Sequence, residues 1–218
     1  MKSKKTILIG VILLSTLILT SFRGQFNDDD EIVDLETVVI GEQEWTTKNL
    51  NVAVFRNGDS IPQKLNNKEW YQAIDNKQPA WCYLNEEVGD KYGKLYNIYA
   101  VIDPRGLAPN GFHVSTDEDW TILTDFLGGI ENAGIKLKSP EGWYMGDADN
   151  STGFSALGGA LYSSHFDYSY YEKKYGAWWT STEKRKEIYW QRSMTQNARV
   201  NRMTSWYGDA LSVRCVKD

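Results

Sequence analysis

The sequence predicts an α+β domain: a twisted antiparallel sheet, two main helices and a long glycine-rich loop region. Three stretches carry that reading. Gly111-Phe112-His113-Val114 followed by Ser115-Thr116-Asp117-Glu118-Asp119-Trp120 reads as a short strand running into a capped helix. Ser115 or Thr116 can accept from an N–H of the first turn, and Ser115 with Glu118 fits a capping box. Asp117, Glu118 and Asp119 sit where the helix dipole favours negative charge. Trp120, Leu123, Thr124 and Leu127 recur at helical spacing, and Gly128-Gly129 ends the helix. Ile188, Trp190, Arg192 and Met194 alternate with Tyr189, Gln191 and Ser193, which is strand periodicity. Residues 129–159 hold seven of the eighteen glycines and few regular signals.

Along the chain, Thr37-Val38-Val39-Ile40, Gly41-Glu42-Gln43 and Glu44-Trp45-Thr46 read as a hairpin or sharply bent strand. Val52-Ala53-Val54-Phe55 is an apolar run closed by the turn pair Asn57-Gly58. Residues 66–74 suit a short helix with Trp70, Ala73 and Ile74 inward. Residues 81–84 follow Pro79 as a strand. Leu95, Ile98, Tyr99 and Ile102 mark a helical face over 92–101, stopped by Asp103-Pro104-Arg105-Gly106. This helix is expected to pack beside the one after Thr116. Ile135-Lys136-Leu137-Lys138 looks strand-like. Residues 176–182, 188–194, 198–203 and 211–216 read as closing strands.

The chain has 218 residues, enough for one core, with nine Trp, thirteen Tyr and seven Phe. Net charge is −5, and six acids lie between Asp28 and Glu36, so the remainder is nearly balanced. That balance argues against a nucleic-acid binder. Residues 1–24 read as an export signal: Lys2, Lys4 and Lys5 precede an uncharged apolar run. A retained membrane anchor is the alternative. Phe22 stands where a lipidated cysteine would be needed, so a lipid anchor is not supported. Residues 25–36 read as an acidic linker before a domain over 37–218. The membrane is expected to be met only through the N-terminal segment, and the location is periplasmic, cell-surface or extracellular.

Tyr92-Gly93-Lys94-Leu95-Tyr96-Asn97-Ile98-Tyr99-Ala100-Val101, Leu107-Ala108-Pro109-Asn110-Gly111-Phe112-His113-Val114 and Asp119-Trp120 resemble the Fibrobacter succinogenes major paralogous domain. Leu127-Gly128-Gly129, Ala133-Gly134, Lys136-Leu137-Lys138, Gly153-Phe154-Ser155-Ala156-Leu157, Trp178-Trp179-Thr180-Ser181-Thr182-Glu183 and Ser212-Val213-Arg214-Cys215-Val216-Lys217 follow in the same order. The resemblance implies a secreted or surface bacterial protein. More distantly the order of elements is similar to sulfatase-modifying-factor domains, which implies a C-type-lectin-like fold. In such a fold the first strand pairs with the last, and the glycine-rich stretch is a long structured loop. Two familiar chemistries do not carry over. The redox cysteine pair of the formylglycine-generating relatives is missing, since only Cys215 lies in that region. The lectin calcium and sugar signatures are absent too.

Several residue groups could carry function. Cys82 and Cys215 form an even pair that an exported chain can bridge as a disulfide; a free catalytic thiol or two buried thiols are the alternatives. Tyr162, His165, Phe166, Tyr168, Tyr170, Tyr171 and Tyr175 crowd one stretch, and Trp206-Tyr207 sits in a later loop. Rings on loops offer faces for sugars or peptides, or they cap the core. From these, Tyr162, His165, Tyr168, Tyr170, Tyr171, Trp206 and Tyr207 are taken as ligand-binding. Trp45, Trp120 and the pair Trp178-Trp179 lie on regular elements and read as core, with at least one Trp of the pair inward. His113, on an apolar strand, reads as a core or half-buried histidine, with a ligand role as the alternative. No Cys/His spacing suits zinc, and no cofactor is implied. Asp147, Asp149, Asn150 and Ser151 make a short oxygen-rich loop, the one place calcium would fit. Lys184-Arg185-Lys186, Arg192, Arg199 and Arg202 read as a hairpin turn and solvated strand face, with an anion-binding patch as the alternative. The expected function is non-enzymatic recognition of a glycan or a surface protein by residues 142–175 with Trp206-Tyr207. One alternative is a secreted enzyme in which Asp147 or Asp167 acts with His165. The other is a structural surface protein that self-associates.

Overall fold

Trp178 and Trp179 are neighbours in one strand, so their side chains leave it on opposite faces. Each fills a different core, and this divides the molecule. The computed structural model describes residues 35–84, 86–159 and 172–218. In order they form β1 (Thr37–Ile40), β2 (Gln43–Thr46), α1 (Asn67–Asp75), β3 (Trp81–Cys82), α2 (Gly89–Tyr92), β4 (Leu95–Tyr96) and α3 (Ile98–Val101). Then come β5 (Phe112–Val114), α4 (Asp117–Phe126), α5 (Ala133–Leu137), β6 (Gly176–Arg185), β7 (Ile188–Met194), β8 (Val200–Trp206) and β9 (Cys215–Lys217). The architecture is mixed α and β, with antiparallel sheets and few, short helices. Among the described residues three small sheets replace the one expected: β1-β2-β9-β5, β3-β4 and β6-β7-β8.

The opening and closing segments meet. Trp45 of β2 pairs with Val216 of β9, while β1 is left as the edge. Strand β9 divides its side chains as β6 does: Cys215 enters the core with Trp179, Tyr96 and Ile98, and Val216 enters the core with Trp178, Trp45 and Trp120. The second core is an aromatic cluster. Trp120 lies 5.1 Å from Trp45, 5.6 Å from Phe154 and 5.9 Å from Trp178, ring centre to ring centre. A third, smaller core seats α1 through Trp70, Ala73 and Ile74 against Leu95 and Ala210.

Several expectations shift. The cap of α4 lies one residue later than Ser115 and Glu118 suggest. Thr116 Oγ1 accepts from Asp119 N–H, and Asp119 Oδ2 accepts from Thr116 N–H at 2.7 Å. Ser115 is buried instead, its Oγ accepting from Trp120 Nε1. The helix expected over 92–101 shrinks to α3. Gly93 has φ +75° and its α-carbon faces the Leu50 carbonyl so closely that a Cβ would lie 2.9 Å from that oxygen. That turn frees Leu95 and Tyr96 to pair with Cys82 and Trp81. Helix α3 belongs to the first core and α4 to the second, so they do not share the core expected of them. Residues 135–138 are not a strand: Ile135 to Leu137 belong to α5, where Gly134 lets the helix approach the Ala198 carbonyl, and Lys138 forms an isolated bridge with Ala156. Of 211–216, Leu211 and Ser212 form only isolated bridges, and the strand begins at Cys215.

The cysteine bridge is a correction. Cys82 and Cys215 are both free. Cys82 is paired with Leu95, which faces the α1 core, whereas Cys215 lies with Tyr96 in the first core. Leu95 and Tyr96 are adjacent on one strand, so the two thiols are on opposite sides of it. Burial pushes both thiols up to about 12, far from nucleophilic reactivity at neutral pH.

Candidate functional site: an aromatic and cationic shelf

One face of β7 and β8 changes character along its length. The cross-strand pairs are Met194 with Val200, Arg192 with Arg202, Trp190 with Thr204 and Ile188 with Trp206. Met194 and Val200 are fully buried in the second core. Arg192 is also buried, which overturns its assignment to a solvated face. Its guanidinium donates to Asp117 Oδ1 at 2.7 Å, to the Asp117 carbonyl at 2.8 Å and to Thr121 Oγ1 at 2.9 Å. Arg202 donates to Asp117 Oδ2 at 2.7 Å from the neighbouring strand.

Asp117 therefore serves two guanidinium groups at the first turn of α4. Its burial would raise its carboxyl, but the Arg202 and Arg192 bonds outweigh this and hold it below the usual carboxylate range. Burial pulls Arg192 down against the pull of Asp117, and hydrogen bonding to Asp117 raises Arg202.

Beyond this border the face opens to solvent. Arg202 from β8 stacks 3.7 Å from the Trp190 ring centre, and Lys184 Nζ from β6 lies 4.5 Å from it. Each is a cation–π contact on a ring of the central strand. Outermost are half-buried Ile188 and Trp206, which is 54% exposed. The result is a shelf of one flanked indole, one exposed indole and two cations, all carried on strands. It can stack flat rings, cover apolar faces and hold an anion.

The loops around the sheet are fixed by buried cations. Lys138 is fully buried and donates to the carbonyls of Thr195, Gln196 and Asn197 at 3.4, 3.2 and 2.9 Å. Arg214 donates to the carbonyls of Thr46, Phe154 and Ser155 and to Asn49 Oδ1, over the Phe154 ring. Burial lowers both, Arg214 to about 9. Carbonyl dipoles stand in for carboxylates here, so each cation ties together backbone segments distant in sequence.

The expected site residues fall in different places. Tyr162, His165, Tyr168, Tyr170 and Tyr171 lie outside the described residues, as do Phe166 and Asp167. The flanks of that stretch are held: Gly158 N–H donates to the Gly142 carbonyl, Tyr144 N–H to the Lys173 carbonyl, and Tyr92 Oη to Glu172 Oε1. Trp206 lies on the shelf. Tyr207 is half-buried, packing toward Tyr99 at 6.4 Å between ring centres. Gly176, where the chain enters β6, pairs with Met194, whereas Trp206 pairs with Ile188 at the other end of β7. At about 3.3 Å per residue the two ends are some ~20 Å apart.

His113 is half-buried, with Nδ1 2.9 Å from Asp218 Oδ1 and Nε2 3.1 Å from Asp119 Oδ2. In the oxygen-rich loop, Asp149 Oδ1 accepts from Ser151 N–H and Asn150 Oδ1 from Ser155 N–H, so these oxygens brace the turn. Among the described residues no cluster of His, Cys, Asp and Glu is placed to hold a metal. The sequence displayed Lys184, Trp190, Arg202 and Trp206 separately. What it did not display was the register that makes them one surface; the alternation of Trp190 with Arg192 was the only signal for half of it.

Fold and shelf together define a small mixed α/β domain that presents rings and cations from rigid strands. The family model for the Fibrobacter succinogenes major domain matches residues 38–217, and the chain belongs to that family. Among curated proteins and among solved structures, none matches.

Proposed function

We propose that this chain is an exported or cell-surface recognition module without catalytic activity, binding a glycan or a surface protein through an aromatic surface to which Trp206 belongs. The observation that supports it best is the exposed Trp206 indole held on β8, beside the cation-flanked Trp190 ring. An indole in solvent on a rigid strand loses little freedom on binding and offers a large apolar face with an N–H handle. The tyrosine-rich stretch 162–171 belongs to the same reading as a second ring-bearing part. A C-type-lectin-like core is supported by the pairing of β2 with β9, which joins the start and the end of the domain. Export is supported by the lysine-led apolar run in residues 1–24.

The test is a glycan array probed with the full chain, and with Trp206→Ala and Tyr170→Ala. Binding is expected to fall with Trp206→Ala first. Signal unchanged in both variants would discard this surface.

A further inference from the structure

Strand β8 is the outer strand of its sheet. Val200 N–H donates to the Ile130 carbonyl at 2.8 Å and Trp206 N–H to Asp209 Oδ2 at 3.3 Å, so both point away from β7. Strand alternation turns the backbone of Arg202 and Thr204 to the same outer side. Among the described residues, no backbone group pairs with Arg202 or Thr204 there. Among the described residues, both ends of this edge are closed and its middle is open.

Two of the usual defences of an edge, a bulge and a proline, are missing. The pairing of β7 with β8 runs without a register shift, and β8 contains no proline. Its single charge, Arg202, is anchored by Asp117 yet remains 44% exposed. Exposed apolar side chains flank the edge on both faces: Met203, 48% exposed, on one, and Trp206 on the other. Near Trp206 the β6–β7 hairpin presents Lys184, Arg185 and Lys186, all exposed. The hairpin acids are already engaged, Glu187 by Lys77 and Glu183 by the Glu187 N–H.

We propose that β8 receives an added strand: an extended acidic segment of a protein partner, in which carboxylates alternate with apolar side chains. Its backbone pairs with Arg202 and Thr204. Its carboxylates lie on the face of Arg202, toward the basic hairpin end of the sheet, and its apolar side chains face Met203. Main-chain bonds supply affinity in such strand addition, and alternate side chains supply selectivity. A second copy of this chain fits less well, because joining two β8 edges would bring the Arg202 cations of both together. The proposal goes beyond ring-mediated recognition, because it needs the backbone edge.

The experiment uses the full chain and a capped octapeptide of alternating Asp and Val. Two control peptides replace Asp by Lys, or carry N-methyl groups on alternate amides. Binding is read by fluorescence anisotropy, and the edge by amide hydrogen exchange. The Asp peptide is expected to bind at least tenfold tighter than either control and to slow exchange at Arg202 and Thr204. Thr204→Pro removes only an outward N–H, a position where an edge strand tolerates proline. It is expected to abolish peptide binding without lowering the melting temperature; if it does not fold, the N-methylated peptide decides. Equal binding of the methylated and parent peptides would overturn the proposal, as would no binding of the Asp peptide. A concentration-dependent dimer lost in Thr204→Pro would overturn it in favour of a second copy. Glycan-array signal retained by Thr204→Pro separates its failure from that of the ring-surface reading.

Discussion

The two ends of the β6-β7-β8 sheet are built from the same residue types and behave oppositely. At the Gly176 end, Trp178, Met194 and Val200 are sealed within the second core. At the hairpin end, Trp190 and Trp206 lie among lysine and arginine, and Trp206 is mostly in water. Between them stands Asp117 with its two arginines. The difference teaches that aromatic content alone says nothing of role. The helix packed on the face decides it, and α4 begins at Asp117.

The largest break in this contrast is expected from Trp178→Ala. It opens a cavity in a packed aromatic cluster and leaves Asn49 Oδ1 without the indole N–H it accepts from at 2.8 Å. Chemical denaturation should show a loss of about 3–5 kcal/mol. Asp117→Asn comes next, at about 3 kcal/mol, the lower part of the range for breaking a buried pair. Arg192 keeps its bonds to the Asp117 carbonyl and to Thr121 in that variant, which limits the loss.

The same variant has a signature in pH. A carboxyl lowered in the folded state stabilises above its unfolded value of about 3.9, and the contribution is lost as pH falls through the folded value. Melting temperatures of the parent should therefore drop on acidification below about pH 4 more steeply than those of Asp117→Asn. Parallel curves would show that Asp117 is not the group responsible.

Thr116→Ala removes the side-chain cap at the border. Its expected cost is about 1 kcal/mol, partly restored by Thr116→Ser. The smallest effect belongs to Trp206→Ala, within about 0.5 kcal/mol of the parent by denaturation, since its ring fills no core. A loss near that of Trp178→Ala would show that the outer end is core after all, and the contrast would fail.

Much of the scaffold was legible because its signals are local. The start of α4 needs only the residues from Thr116 to Asp119, and the misplacement by one residue reflects two adjacent hydroxyls able to cap. The span of β7 follows from its own alternation. The missed elements are those where a distant contact overrides local pattern. Residues 92–97 carry a helical spacing, but Gly93 turns beneath the Leu50 carbonyl and the strand pairing of Leu95 and Tyr96 prevails. Ile135 to Lys138 alternates like a strand, yet Ile135 to Leu137 are helical where Gly134 packs against Ala198.

By itself the sequence determined the class of domain, a capped helix after a short strand, a strand at 188–194 and the burial of Trp45, Trp120 and at least one of Trp178 and Trp179. Those outcomes rest on periodicity and on capping chemistry within a few residues. Tertiary structure decided that Cys82 and Cys215 stay apart, that Arg192 is buried and that Trp206 joins Lys184 and Arg202 on one shelf. Burial and pairing depend on partners such as Asp117 and Arg202, 85 positions apart, and only strand register brings them together.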